Sequence, residues 1–174
     1  MQYSIPKSIE ILSRTPATLI QMLDGISEDW TSNNEGENTW SAYVIIGHLI
    51  HGERTDWLPR AELILSDNKE KNFTPFDMFA QFEESKGKSL KQLLMGFKEI
   101  RSINVEKLLK LNISENDLSR TGIHPEFGEV TLNQLLSCWV VHDLNHISQV
   151  SRVMAKQYKS EVGPWIQYLK ILRQ

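Results

Sequence analysis

The sequence predicts an all-α fold, a four-helix bundle with short additional helices. Apolar residues recur at helical spacing over long stretches, no segment shows convincing period-two alternation, and Gly, Pro and Asn clusters fall between the periodic stretches. With 174 residues and 40% apolar content the chain is long enough to bury a core as one domain, residues 1–174.

The first helix is expected from about Ile5 to Ile26, with a break at Pro16, which lacks the N–H that a continuous helix needs. Asn33-Asn34-Glu35-Gly36 reads as a loop. Ser41 is a candidate N-cap for a second helix running through Val44, Ile45, His48, Leu49 and Trp57 toward Leu65, bent at Pro59. Residues Pro75 to Glu84 read as a short helix. A third long helix follows from about Leu90 to Leu111, apolar at Leu93, Leu94, Phe97, Ile100, Leu108 and Leu109. Thr121 to Val130 reads as irregular chain. A fourth helix starts at Thr131 and ends near Tyr158, and Gly163-Pro164 separates it from a last turn or helix containing Trp165, Tyr168 and Leu172.

Charge and composition exclude several classes of function. Nineteen Lys and Arg against 22 Asp and Glu, evenly mixed, offer no basic stripe for a phosphate backbone, so nucleic acid is not an expected partner. Without a signal peptide or a run long enough to span a bilayer, a cytoplasmic protein with no membrane partner is expected. The single cysteine, Cys138, cannot form an internal disulfide.

The histidines carry the chemistry. At helical periodicity His142 and His146 lie about 40° apart on one face, in line with Leu135, Trp139 and Val153, so both point into the core. His48 sits among Val44, Ile45 and Gly52 on a face that also looks inward. Buried imidazoles lose hydration unless they gain a strong partner, and the i, i+4 spacing lets two ring nitrogens share one metal ion. The alternative is a set of core histidines satisfied by backbone carbonyls or carboxylates.

The segments Trp40-Ser41, Gly47-His48-Leu49-Ile50-His51-Gly52-Glu53 and Trp139-Val140-Val141-His142-Asp143-Leu144-Asn145-His146-Ile147 resemble the DinB-like superfamily, which includes YfiT-like proteins and bacterial thiol-dependent transferases. The likeness extends from Thr15-Pro16-Ala17 to Gly163-Pro164-Trp165. It implies a DinB/YfiT-like four-helix bundle, often a homodimer, in which a histidine of the second helix and an H-x-x-x-H pair of the last major helix bind nickel or zinc. On this chain those ligands are His48, His142 and His146. Members proposed as hydrolases or thiol transferases share the metal more clearly than the pocket.

His51 lies close to the face of His48 and is a candidate proton shuttle or an interface histidine. Asp56, about 80° from His48, could orient a ligand imidazole; Glu53, about 140° away, reads as a solvated or interhelical charge. Asp143 is adjacent to His142 in sequence but about 100° away on the helix. His124 belongs to a loop that could fold over the pocket or stay at the surface. Cys138 could be a fourth ligand but reads better as a small buried core residue, and the five tryptophans read as packing.

The expected function is that of a metal-dependent enzyme, a thiol S-transferase or a hydrolase. One divalent transition metal would keep an open position for water or for a small-molecule substrate such as a low-molecular-weight thiol. No carboxylate is placed in the sequence as a general base, which favours transfer over hydrolysis. The alternative is a non-catalytic metal-binding or dimerising stress-related module, which a fourth protein ligand from Cys138 or His51 would favour.

Overall fold

The computed structural model describes residues 2–173. Ser4 caps α1 (Ile5–Leu12) by accepting from Lys7 N, and α2 (Thr15–Leu23) restarts after a two-residue turn. Pro16 has no N–H to give the carbonyl of Leu12 four residues earlier, and Arg101 Nη1 donates to that carbonyl instead at 2.9 Å. The first predicted helix is therefore two helices, and a short α3 (Glu28–Ser32) follows where none was expected.

Ser41 caps α4 (Ala42–Thr55) by accepting from Val44 N at 3.3 Å. The expected bend at Pro59 lies upstream, at Asp56, where α4 ends and α5 (Trp57–Leu65) begins. Placing Pro59 in the first turn of a new helix puts its missing N–H among donors that have no intrahelical partner anyway. The short helix expected from Pro75 begins later, as α6 (Ala80–Ser85), because the Asp77 carboxylate accepts from the N–H groups of Phe79 and Ala80 and caps the chain there.

Capping boxes start both remaining long helices: Ser89 with Gln92 for α7 (Leu90–Lys110), and Thr131 with Gln134 for α8 (Leu132–Lys156). Leu109, expected on the apolar face of α7, is exposed. Between α7 and α8 the chain makes a 3-10 turn at Asp117–Ser119 and then an antiparallel hairpin, β1 (Thr121–His124) with β2 (Gly128–Thr131). This corrects the expectation of irregular chain over Thr121 to Val130. Ile123 also exchanges backbone hydrogen bonds with the segment Lys71 to Phe73, so the hairpin is tied to the connection after α5. Short 3-10 turns at Gly163–Tyr168 and Lys170–Leu172 close the chain.

α4 packs on α7 and α8, α2 on the same two helices, and α5 and α1 on α8. Two apolar clusters result: one around Leu19, Ile45, Leu49, Leu94 and Phe97, the other around Leu12, Trp57, Ile64, Leu108 and Trp139. Each such side chain contributes roughly 1.5–3 kcal/mol when fully buried. The guanidinium of Arg101 lies where the clusters meet, 4.9 Å from the Phe97 ring centre and 5.3 Å from that of Trp139. Among the described residues no helix is long and apolar enough to cross a membrane.

Candidate metal centre

Gly47 lets α6 approach α4 beside His48: a Cβ there would lie 2.5 Å from Ser85 Oγ. This proximity puts Gln81 Oε1 3.0 Å from His48 Nδ1. On α8, Gln149 Oε1 lies 2.7 Å from Nδ1 of His146, one turn back along the helix. Both amide oxygens are acceptors, so in this arrangement each ring carries its proton on Nδ1 and has a lone pair on Nε2.

Those Nε2 atoms converge on His142. Its own Nε2 is 3.1 Å from that of His48 and 3.0 Å from that of His146, and one ligand nitrogen from each ring fits within 4.8 Å of the others. Nδ1 of His142 is buried without a hydrogen-bond partner among the described residues, and the ring is placed by packing on Trp57, with centroids 5.0 Å apart. Trp40 and Phe76 flank His48 at 4.8 and 5.4 Å. His48 and His146 are buried and His142 is half-buried.

Burial, with the neighbouring His146 adding to it, pushes the imidazole of His48 down to about 4 and that of His142 to about 2. Burial also lowers His146, against the opposing effect of the hydrogen bond that its Nδ1 gives Gln149. All three rings are therefore neutral near pH 7. The two nitrogens that meet His142 Nε2, and that atom itself, then hold at most one proton, the one on His142 Nε2, and that proton can serve one of the two neighbouring lone pairs. An excess of lone pairs converging at this distance is a donor set suited to a cation, and three imidazoles are a borderline-soft set that fits zinc, nickel, cobalt or copper.

The other residues singled out in the sequence are not part of the three-histidine cluster. His51 is buried and its Nδ1 is 3.0 Å from Glu84 Oε1; it does not join the cluster. Asp56 does not orient a ligand imidazole. At the α4–α5 junction its carboxylate meets Arg60 Nε at 2.6 Å, one turn on, and burial raises its pKa. His124 stays in the hairpin, stacked on Phe127 at 4.4 Å, its Nδ1 accepting from the N–H groups of Glu126 and Phe127. Cys138 is exposed rather than a core residue, because it lines a cavity of about 450 Å³ with Asp56, Trp57, Phe73 and His124.

Glu53 is an interhelical charge and not a solvated one. Its carboxylate accepts from Arg101 Nη2 at 2.7 Å, Trp139 Nε1 at 2.9 Å and Asn104 Nδ2 at 2.8 Å. Asp143 is turned away from His142 and pairs with Arg101. Trp57 and Trp139 stack in the core as packing residues, whereas Trp165 is exposed. Sequence reasoning missed Gln81, Glu84 and Gln149. Gln149 could have been found three residues after His146, but Gln81 and Glu84 come from a different helix.

A family model described as the DinB superfamily matches residues 11–150. Among solved structures, YfiT from Bacillus subtilis, described as "a probable metal-dependent hydrolase with an unusual four-helix bundle topology", superposes with a TM-score of 0.74 at 21% sequence identity over 90% of each chain. That likeness shows the shared fold. No curated protein matches the sequence. The match of the family model over most of the chain, together with the bundle itself, establishes that this chain belongs to the DinB superfamily.

Proposed function

We propose that His48, His142 and His146 bind one divalent transition metal, nickel or zinc, and that the protein is a cytoplasmic metal-dependent enzyme of the thiol S-transferase or hydrolase type. The observation that carries this reading is the convergence of three neutral Nε2 atoms on one another with at most one proton among them. When bound, the metal supplies Lewis acidity, which lowers the pKa of a coordinated thiol or water toward neutrality.

The chain's own residues do the rest. Gln81 and Gln149 fix the tautomer and orientation of two ligand rings, the usual work of outer partners at metal sites. Trp40, Trp57 and Phe76 wall the cluster and limit the water that reaches it. Among the described residues no fourth His, Cys, Asp or Glu joins the three, which supports an open coordination position over the closed site of a purely structural module. The description of YfiT as a probable metal-dependent hydrolase supports the hydrolytic branch. Glu84 on His51 removes the objection that no base is present, so transfer is no longer favoured on that ground.

The test is turnover of two probes by zinc- or nickel-loaded protein: conjugation of cysteine to monochlorobimane for transfer, and hydrolysis of p-nitrophenyl acetate. Metal-dependent turnover of either probe, abolished in His142→Ala, is expected. Equal rates for loaded and stripped protein in both assays would overturn the enzymatic reading.

A further inference from the structure

His48 and His51 stand about one turn apart on α4, and α6 holds both in the same way. Gln81 takes Nδ1 of His48 and Glu84 takes Nδ1 of His51, each at 3.0 Å and each 33 residues along the chain. With Nδ1 of both rings directed at α6, Nε2 of both is turned away from it. The first meets His142; the second has no hydrogen-bond partner among the described residues. Glu84 is itself held by Arg54, whose Nη1 donates to Oε2 at 2.9 Å. Because an ionised carboxylate only accepts, it keeps the proton of a neutral His51 on Nδ1 and leaves a lone pair on Nε2. Phe76 packs against both rings, 5.4 Å from His48 and 5.0 Å from His51, so His51 shares an aromatic wall with the histidine cluster.

We infer that His51 is the proton acceptor of this site and Glu84 its positioning residue, an assignment that rests on the three-histidine cluster being the metal centre. A thiol or water entering beside the cluster gives its S–H or O–H proton to Nε2 of His51. The electron pair stays on sulfur or oxygen, and Glu84 balances the imidazolium that forms. Once the nucleophile has bonded to the electrophile, the leaving group takes the proton back from Nε2, so no further reactant is needed. A histidine that merely tied α4 to α6 would need Nδ1 alone.

The first test needs no metal. In histidine-15N-labelled, metal-free protein, at a pH above the imidazole range, the long-range 1H–15N spectrum should show His51 as the Nδ1–H tautomer, assigned by its disappearance in His51→Asn. Glu84→Ala should convert it to a mixture of tautomers. An Nε2–H tautomer in the wild type overturns the assignment. The second test uses His51→Asn loaded with zinc, since Asn keeps a donor for Glu84 but has no second ring nitrogen. Zinc content should match the wild type while p-nitrophenyl acetate hydrolysis and cysteine conjugation to monochlorobimane fall by about 10²-fold or more. Loss of zinc from this variant, or rates within about twofold of wild type, would contradict the role. A wild type that takes up no zinc defeats the parent reading, and this one with it, before any rate is measured.

Discussion

Nη1 and Nη2 of Arg101 donate to the two carboxylate oxygens of Asp143, at 2.5 and 2.9 Å, in a pair that solvent barely reaches. The same guanidinium holds Glu53 of α4 and the carbonyl of Leu12 in α1, so one side chain of α7 joins four helices. Two of those, α4 and α8, carry the histidines. The relative setting of His48 and the His142–His146 pair thus depends on an ionic network that contains none of them.

Arg101→Met should destabilise the protein by about 3–5 kcal/mol, because Glu53 and Asp143 would be left as buried charges without a counterion. Urea unfolding of the metal-free protein measures this. A loss below about 1 kcal/mol would show that water replaces the guanidinium at little cost.

Gln149→Leu should weaken metal binding by about 10–100-fold while leaving the fold intact, since it removes the acceptor that places the proton of His146 on Nδ1. A competition titration with a chromogenic zinc chelator reads the affinity, and an unchanged value would mean that α8 packing alone orients the ring.

Gly47→Ala should push α6 away from α4 and cost about 1–3 kcal/mol, because the new Cβ would lie 2.5 Å from Ser85 Oγ. Adding Ser85→Ala should restore most of the loss, since the next atom, Ser85 Cβ, is at an ordinary 3.6 Å. Chemical denaturation of the single and double variants checks it; absence of rescue would place the strain elsewhere.

Stability of the metal-free protein should fall as pH drops from 6.5, the ordinary imidazole value, to about 4 and below. His48 is depressed to about 4 and His142 to about 2, so over this window the unfolded chain binds protons that the folded chain does not. The unfolding free energy then declines by up to about 1.4 kcal/mol per pH unit for each such histidine. Urea unfolding across the window should show a shallower slope in His48→Gln. The same slope in both proteins would contradict the burial argument.

The sequence made the locally encoded features legible. Ser41 and Thr131 announce their helices because a cap is a matter of a few adjacent residues, and the inward faces of His48, His142 and His146 follow from helical period. The hairpin escaped because its four-residue strands are mostly part-exposed, so they carry little apolar alternation, and its backbone bonds to the segment Lys71 to Phe73 are non-local. The dyad of His51 with Glu84 was invisible for a related reason: it exists only once α6 has docked on α4. Nothing local marks Arg101 as special, since its partners lie on three other helices.

Elemental analysis of untagged wild-type protein beside His142→Ala, with helicity of both checked by circular dichroism, reads the metal site itself. About one nickel or zinc ion per wild-type chain and almost none in the folded variant are expected. A wild type that stays metal-free after exposure to both ions, or a variant that retains the full complement, would contradict the three-histidine site.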